Sequence, residues 1–408
     1  MSCPYGDMPR LLLVLPSTTY RTAAFVAAAR GVGAELTVGS EQPSTLESAN
    51  PAGLITLDLQ NPERAVEQAR TFARHHPVDA VVGVDDDSAV VAAAVAERLS
   101  LKGNPVAAAV ATRDKHRQRR LLAAAGVPIP RFALHQLDAN PHELAQTVAF
   151  PCVLKPLRLS ASRGVIRADD PGSFVAAHRR LSAIVAGCDA FFLVEEFIPG
   201  YEVALEGLLV NRRLHVLALF DKPDPLDGPF FEETIYVTPS RVPAGLQGSI
   251  AQCAQRAARA LGLVEGPIHA ELRYNKRGPW LIELAARPIG GRCSAALRFE
   301  DGASLEELIL RHALGLPIAS LRRESQAAGV MMIPIPGAGT LREVRGVPEA
   351  KAVPLVEDVQ ITAHLGEQLV PFPEGSRYPG FIFARGTTPA AVEAALREAH
   401  RRLAFVLT

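Results

Sequence analysis

The chain has no imbalance of charge: Lys plus Arg and Asp plus Glu each number 43 among 408 residues. Without a net field there is no global pull toward nucleic acid or anionic lipid, so recognition has to be local. Cysteine is scarce and scattered, at Cys3, Cys152, Cys188, Cys253 and Cys293. The count is odd and no CxxC or Cys/His cluster appears, which points to neither a disulfide framework nor a zinc site and fits a reducing cytoplasm. Long apolar runs are missing too. Leu11 to Leu15 is strand-length, and the opening MSCPYGDMPR lacks a charged start followed by an apolar region, so a soluble protein without membrane contact is expected. Neither GxxxxGK[ST] nor GxGxxG is present. A nucleotide, if bound, is therefore held without those loops, and the missing glycines after Pro16 disfavour a dehydrogenase.

What is there reads as two or three domains. RLLLVLP (Arg10 to Pro16) has the character of a buried parallel strand, and the alanine-rich stretch after Tyr20 that of a helix closed by Gly31. AELTVGS supplies a second strand, and AVVGVDDD (Ala80 to Asp87) runs from an apolar strand into a polar loop before a helix at Ala89 to Leu99. Residues 1–106 are thus expected to form a small doubly wound α/β domain. Residues 107–325 change to α+β: a basic helix, then alternating strands such as FLVEEF, EVALEGLLV and LHVLALF, with PDPLDGP (Pro223 to Pro229) as a loop beside a site. Past Gly329 short strands alternate with Pro-Gly turns until a helix at Pro389 to Leu403, which suggests a capping domain over 326–408.

The segment IHAELRYNKRGPWLIELAAR has two strand-like arms around a turn containing Asn275 and Gly278. A centre at Arg277 sets Glu271 opposite Glu283. Period-two alternation then puts His269, Glu271, Glu283 and Arg287 on one face, and Ala270, Leu272, Trp280, Ile282 and Leu284 on the other. Facing carboxylates repel, so a fold keeps them where a cation or solvent intervenes. Magnesium carrying a nucleotide phosphate suits this chemistry, since it takes one or two carboxylates plus phosphate oxygens. On charge pattern alone a solvated hairpin face is the stronger reading. The continuation LAARPIGG adds Arg287, a bidentate clamp for a transferred phosphoryl group, and the bare amides of Gly290 and Gly291.

Three further pieces share a polar logic. Lys155 ends the apolar strand FPCVLKP, and the loop LRLSASRGV after it offers Ser160, Ala161, Ser162 and Gly164 to phosphates. Lys115 opens a helix that Thr112 or Asp114 can cap and that Gly126 and Pro128 end; its basic run has no interleaved aromatics, against nucleic acid. FLVEEFIPGYEVALEGLL joins two strands through Pro199 and Gly200, a hinge whose backbone can read an adenine edge while Glu202 reaches ribose. DKPDPLDGPFFEETIYV holds Lys222, in reach of phosphate, with Glu232, Glu233 and Tyr236. Only one of two adjacent glutamates can face inward on a strand, and Glu233 is preferred as a partner for an α-ammonium group. His269 is either a further pocket residue or a satisfied structural histidine.

In this order the pieces resemble the ATP-grasp superfamily across essentially the whole chain, and within it the bacterial L-amino acid ligases that make dipeptides. The resemblance implies an N-terminal α/β domain, a central ATP-grasp domain with a small lid at about 150–196, and a C-terminal domain walling the substrate pocket. It places Lys115 and Lys155 at the phosphates and adenine side, Glu195, Glu196, Phe197 and Ile198 at adenine, and Glu202 at ribose. It also implies magnesium, two ions with manganese as a substitute, on Glu271 and Glu283, and Arg287 on the phosphate or acyl phosphate. Many members carry asparagine two residues after the second metal glutamate; here that residue is Ala285, which favours the amino acid ligase branch. The implied reaction activates a carboxylate with ATP and passes it to an amine, both small molecules, with Ser160 to Gly164 as a lid. A homodimer is expected from the resemblance alone. The alternatives are a carboxylation like that of biotin carboxylase and a regulatory nucleotide-binding protein without turnover.

Overall fold

The computed structural model describes residues 8–187 and 189–408. Cys3, Cys188 and the first seven residues of the N-terminal stretch lie outside them. Cys152, Cys253 and Cys293 are buried free thiols. Among the described residues no helix is long and apolar enough to cross a membrane.

The chain opens with β1 (Arg10–Val14), α1 (Thr22–Val32), β2 (Glu35–Ser40), β3 (Leu54–Thr56), α2 (Pro62–Ala73), β4 (Ala80–Gly83) and α3 (Asp86–Arg98). The strands form a parallel sheet in the order β3-β2-β1-β4. Alternation along β1 explains its double covering. Leu11 and Leu13 pack with Phe25 of α1, whereas Leu12 and Val14 pack with Ala65, Val91 and Val95 of α2 and α3. The first helix runs through Gly31 and ends at Gly33, whose φ of 69° closes it. Helix α3 starts at Asp86, three residues earlier than the apolar pattern suggested, because Asp85 caps it in a capping box with Ser88.

Helices α4 (Val106–Arg113) and α5 (Lys115–Ala124) follow, the second capped by Asp114, which accepts from Arg117 N. Next come β5 (Phe132–Gln136), α6 (Pro141–Leu144), β6 (Cys152–Pro156), β7 (Ile166–Ala168), α7 (Pro171–Ile184) and β8 (Phe191–Glu196). They build a small sheet in the order β5-β8-β6-β7, so the expected lid region begins with β5 rather than near residue 150.

The remaining chain gives β9 (Tyr201–Val210), β10 (Arg213–Lys222), β11 (Ile235–Thr238), α8 (Ala244–Ala260), β12 (Gly266–Asn275), β13 (Gly278–Ala285), α9 (Leu305–Ala313), β14 (Ala327–Met332), β15 (Gly339–Arg345), α10 (Val347–Lys351), β16 (Val356–Ile361), β17 (Gln368–Leu369), β18 (Gly380–Gly386), α11 (Pro389–Arg401) and β19 (Ala404–Leu407). Eight of these strands make one antiparallel sheet, β13-β12-β9-β10-β11-β14-β18-β16. The C-terminal segment is built onto the central sheet. It extends the central sheet through the β11–β14 pair, and only β17-β15-β19 form a sheet of their own. One face of β9 packs Val203, Leu205 and Leu209 under α8, and the other turns Ala204 and Leu208 toward the N-terminal domain.

The end of β4 tests how tightly the first domain is fixed. A Cβ on Gly83 would stand 2.5 Å from the backbone carbonyl of Ser88, which the capped helix cannot move aside. Gly83→Ala is expected to cost about 1–3 kcal/mol of unfolding free energy, read by urea denaturation; an unchanged midpoint contradicts this packing.

Candidate active site

Strands β12 and β13 meet as a two-residue hairpin with Lys276 and Arg277 at the tip, since Asn275 pairs with Gly278. The centre is thus half a residue away from Arg277. A bulge at Ile282 makes up the difference, so Glu271 does face Glu283 while Leu272 faces Leu281. The bulge also corrects the face assignment: Leu281 and Leu284 fill the core, whereas Ile282 lines the cavity and Trp280 is half-buried beneath Arg277. Arg273 continues the charged face of His269 and Glu271 and also lines the cavity.

Each facing carboxylate has its own lysine. Lys115 Nζ lies 3.1 Å from Glu283 Oε1 and donates to Leu159 O at 2.8 Å. Lys222 Nζ lies 3.4 Å from Glu271 Oε1, 2.7 Å from Glu202 Oε1, and bonds Glu233 as well. One oxygen from each of Glu202, Glu233 and Glu271 falls within 4.8 Å of the others, a donor set that suits a divalent cation. Glu202, assigned to ribose by the resemblance, thus lies inside this cluster with its carboxylate taken by Lys222. Burial, and then the charge of Glu271, holds Glu233 up at about 6 against the pull of Lys222. Burial works against the Glu271 charge too, but Lys222 and His269 outweigh it and hold that carboxyl well below its usual range. Tyr236 places its ring 5.0 Å from Lys222 Nζ. Glu233 faces the cavity, and Glu232 turns away to accept from Ile335 N; both lie in irregular extended chain ahead of β11, not on a strand.

Behind Glu271, His269 Nδ1 is 3.2 Å from Glu206 Oε2 and Nε2 is 3.7 Å from Glu271 Oε1. Glu206 is fully buried and also accepts from Ile289 N. Arg287 Nε and Nη2 make a two-point pair with Asp86, at 2.9 and 3.3 Å, so the N-terminal domain holds this guanidinium. Gly290 and Gly291 line the same wall, Gly291 with φ of 60°.

On the small sheet, Lys155 Nζ is 2.8 Å from Glu195 Oε2, and Arg119 Nε is 2.7 Å from Glu195 Oε1. Burial alone would raise the Glu195 carboxyl; the two cations reverse this and hold it at about 2. Residues 197–200 carry the chain from the small sheet into the large one, with Glu195, Glu196, Phe197 and Ile198 lining the cavity. The Ile198 N–H donates to no group among the described residues. Arg167 and Arg273 stack on Phe197 at 4.1 and 4.9 Å. Gly200 (φ 129°) is fixed by the Tyr274 carbonyl, which a Cβ would meet at 2.2 Å. The Ser160 to Gly164 loop closes the cavity, and Ala161 and Ser162 both hold left-handed backbone at φ 54°. It is latched to the C-terminal segment: Gly164 N donates to Pro373 O at 2.9 Å, Arg163 to Glu374 O, and Arg180 pairs with the Glu374 carboxylate.

One cavity of about 400 Å³ between the three sheets gathers these elements, and every site residue read from the sequence lines it except Gly164 and Lys222; Glu206 and Arg119 support lining residues from behind. Family models for an ATP-grasp N-terminal domain, an ATP-grasp domain and an L-amino acid ligase C-terminal domain 2 match residues 26–103, 148–296 and 331–408. The chain belongs to the ATP-grasp superfamily. Its fold matches the crystal structure of an L-amino acid ligase from Bacillus licheniformis with a TM-score of 0.80 at 26% identity, covering 99% of this chain and 100% of that one. It is 27% identical over 269 residues to the alanine--anticapsin ligase of Bacillus subtilis, covering 61% of this chain and 56% of that protein. It is 30% identical over 195 residues to the D-alanine--D-alanine ligase of Aromatoleum aromaticum, covering 47% and 61%. The chain spans less than two thirds of the length of these two curated relatives.

Within this ATP-grasp frame, Arg119, Arg273, Asp86, Glu206 and Arg21 were missed by sequence reasoning. Two had a signal: Arg119 sits four residues after Lys115 on one helix face, and Arg273 two after Glu271 on one strand face. Asp86 and Arg21 line the cavity and Glu206 lies buried behind His269, all three placed by contacts made across the chain.

Two outcomes follow from the ion pairs. Glu195→Gln strands two buried cations and should cost about 3–5 kcal/mol. Because the folded carboxyl sits at about 2 against 4.5 when unperturbed, its contribution is fully present above pH 4.5 and is lost as pH falls through about 2. Acid titration of unfolding free energy should show wild type losing its advantage over Glu195→Gln across that window; a constant gap contradicts the pairing. Glu374→Ala removes an exposed pair of about 0.2–1 kcal/mol and should make the Ser160 to Gly164 loop a few-fold easier to cleave by limited proteolysis at unchanged global stability.

Proposed function

We propose that this chain is an ATP- and magnesium-dependent ligase that joins the carboxylate of an amino acid to an amine through an acyl phosphate. The observation that carries the reading is the convergence of Glu271, Glu283, Lys115 and Arg287 on one cavity closed by a strained loop, with Lys222 backing Glu271. A carboxylate oxygen attacks the γ-phosphorus of ATP, the bond to the bridging oxygen breaks, and ADP leaves. The amine nitrogen then attacks the acyl carbon, the carbon–oxygen bond to phosphate breaks, and the nitrogen loses a proton as phosphate departs. No redox partner is needed.

The acidic donor set fits a divalent cation, with Glu271 and Glu283 as its holders and Glu202 and Glu233 beside them. When bound, magnesium supplies charge neutralisation to the phosphate oxygens. The chain's own groups do the remaining work. The free Ile198 amide suits an adenine acceptor, and Phe197, clamped by two arginines, keeps the hinge rigid. Lys155 and Lys115 bring ammonium groups to the phosphate side. Arg287 is preset by Asp86 to meet the transferred phosphoryl group without reorganising. The latched loop excludes water, which would otherwise hydrolyse the acyl phosphate. The opposing possibility, a protein that binds nucleotide without turnover, gives no reason for an arginine fixed this way.

Phosphate release screened over amino acids, singly and in pairs, should identify amine-dependent turnover, with the amide product read by mass spectrometry. Glu271→Gln and Glu283→Gln should each lower it by about 10²–10³-fold with the melting temperature kept. Turnover that needs bicarbonate and no amine would favour carboxylation, and folded variants with wild-type rates would remove the metal assignment.

A further inference from the structure

The hinge at residues 197–200 belongs to neither sheet, so no strand ladder holds it, and side chains fix it from both sides. Arg273, two residues past Glu271 on β12, is 4% exposed and lines the cavity. Its Nη1 donates to Leu226 O at 2.6 Å, and its Nη2 to Gly200 O at 2.6 Å and Asp227 Oδ1 at 2.9 Å. Asn275, two residues further on, donates through Nδ2 to Pro199 O at 2.9 Å. From the small sheet, Arg167 of β7 donates through Nη1 to Asp227 O at 2.6 Å and through Nε to Asp169 Oδ1 at 2.7 Å. The two guanidinium groups lie over the Phe197 ring, at 4.9 Å for Arg273 and 4.1 Å for Arg167. An arginine from each sheet thus shares one ring and one loop residue, Asp227. Phe197 N donates to Pro151 O, which leaves the neighbouring Ile198 N–H without an acceptor among the described residues.

Backbone that reads a base binds tightly only when it is already ordered, because loose chain pays its ordering entropy on binding. We infer that Arg273 is a positioning residue for the nucleotide: it ties the 197–200 hinge to the strand that carries Glu271, so that the base and phosphate ends of the cavity keep one spacing. Strand β12 serves as the ruler, with Glu271 and Arg273 about 7 Å apart along it. The inference rests on the nucleotide half of the proposed function and not on which substrates are joined. Arg273 acts through the hinge, since its hydrogen bonds go to Gly200, Leu226 and Asp227 and its plane covers Phe197. The competing role, direct contact between Arg273 and nucleotide phosphate, requires those bonds to break.

Calorimetric titration of the full chain separates the two roles without requiring turnover. The probes are Mg-ADP, Mg-GDP and Mg-tripolyphosphate, which carries no base. Arg273→Met should weaken Mg-ADP about tenfold and narrow the preference for ADP over GDP, because the Ile198 N–H suits an acceptor on adenine and meets the N1–H donor of guanine. Tripolyphosphate binding should stay within about twofold of wild type. Arg273→Lys keeps the charge but loses the planar fork and should resemble Arg273→Met. Asp227→Asn, at an exposed position that does not threaten folding, should weaken Mg-ADP about threefold at an unchanged melting temperature. Losses from Arg273→Met and Phe197→Leu should be less than additive in the double variant. Equal weakening of tripolyphosphate and ADP, restored by Arg273→Lys, assigns Arg273 to phosphate and overturns the positioning role. So do unchanged ADP affinities, or equal losses on all three probes with a lowered melting temperature. Where tripolyphosphate binds too weakly to measure, the ADP-to-GDP ratio decides alone. Wild type that binds no Mg-ADP removes the nucleotide reading and this inference with it, whereas tight wild-type binding with indifferent variants removes the inference alone.

Discussion

Two carboxylates set opposite each other on a β-ladder repel, and the site is organised around that constraint. Glu271 and Glu283 face each other in β12 and β13. They are kept apart in charge by lysines from different parts of the chain, Lys222 of β10 and Lys115 at the start of α5. Neither lysine is spare: Lys222 also meets Glu202 and Glu233, and Lys115 also donates to the Leu159 carbonyl. A cation arriving among the glutamates would redistribute these ammonium groups toward whatever anion accompanies it. Nucleotide phosphate is such an anion, so under the proposed function metal and phosphate binding would be electrostatically linked by the same lysines.

The remaining architecture serves to hold this pair at the meeting of three sheets. The small sheet brings Lys155, the N-terminal domain brings Asp86 at the start of α3, and the long central sheet carries both glutamates. The bulge at Ile282 is the local device that makes it work. A regular two-residue hairpin would have put Glu283 out of register with Glu271, and one extra residue restores the facing geometry while turning Ile282 toward the cavity. The Ile282 carbonyl then accepts from Arg119, which ties the bulge to the buried Glu195 pair.

Much of this was legible where a short-range pattern carries it. Period-two alternation marked the β12 and β13 face, and the apolar run ending in Lys155 marked a lysine at a cleft. Alternation is blind to an inserted residue, however, so Ile282 and Trp280 were assigned to the core. Strand β5 has only half-buried and exposed positions, so it gave no apolar signal and the small sheet was read as starting later, near residue 150. That the C-terminal strands join the central sheet was not legible, because pairing between β11 and β14 joins residues about ninety apart, which no local pattern reports. Asp86 and Arg287, 201 positions apart, illustrate the same limit at the site itself.

Ala285 gains a physical meaning from its place on the ladder. It lies on the cavity face directly across from His269, between Glu283 and Arg287 in the alternation. An asparagine there would add a polar oxygen beside the two facing glutamates. Alanine adds none, and its small side chain leaves room for the imidazole that bridges Glu206 and Glu271. Glu206 is buried and anchored by the Ile289 amide, so it fixes the ring, and the ring in turn orients Glu271. The neighbouring Glu202 and Glu233 each bring an oxygen within 4.8 Å of one on Glu271, so the acidic end of the cavity is built from glutamates and not from the position after Glu283.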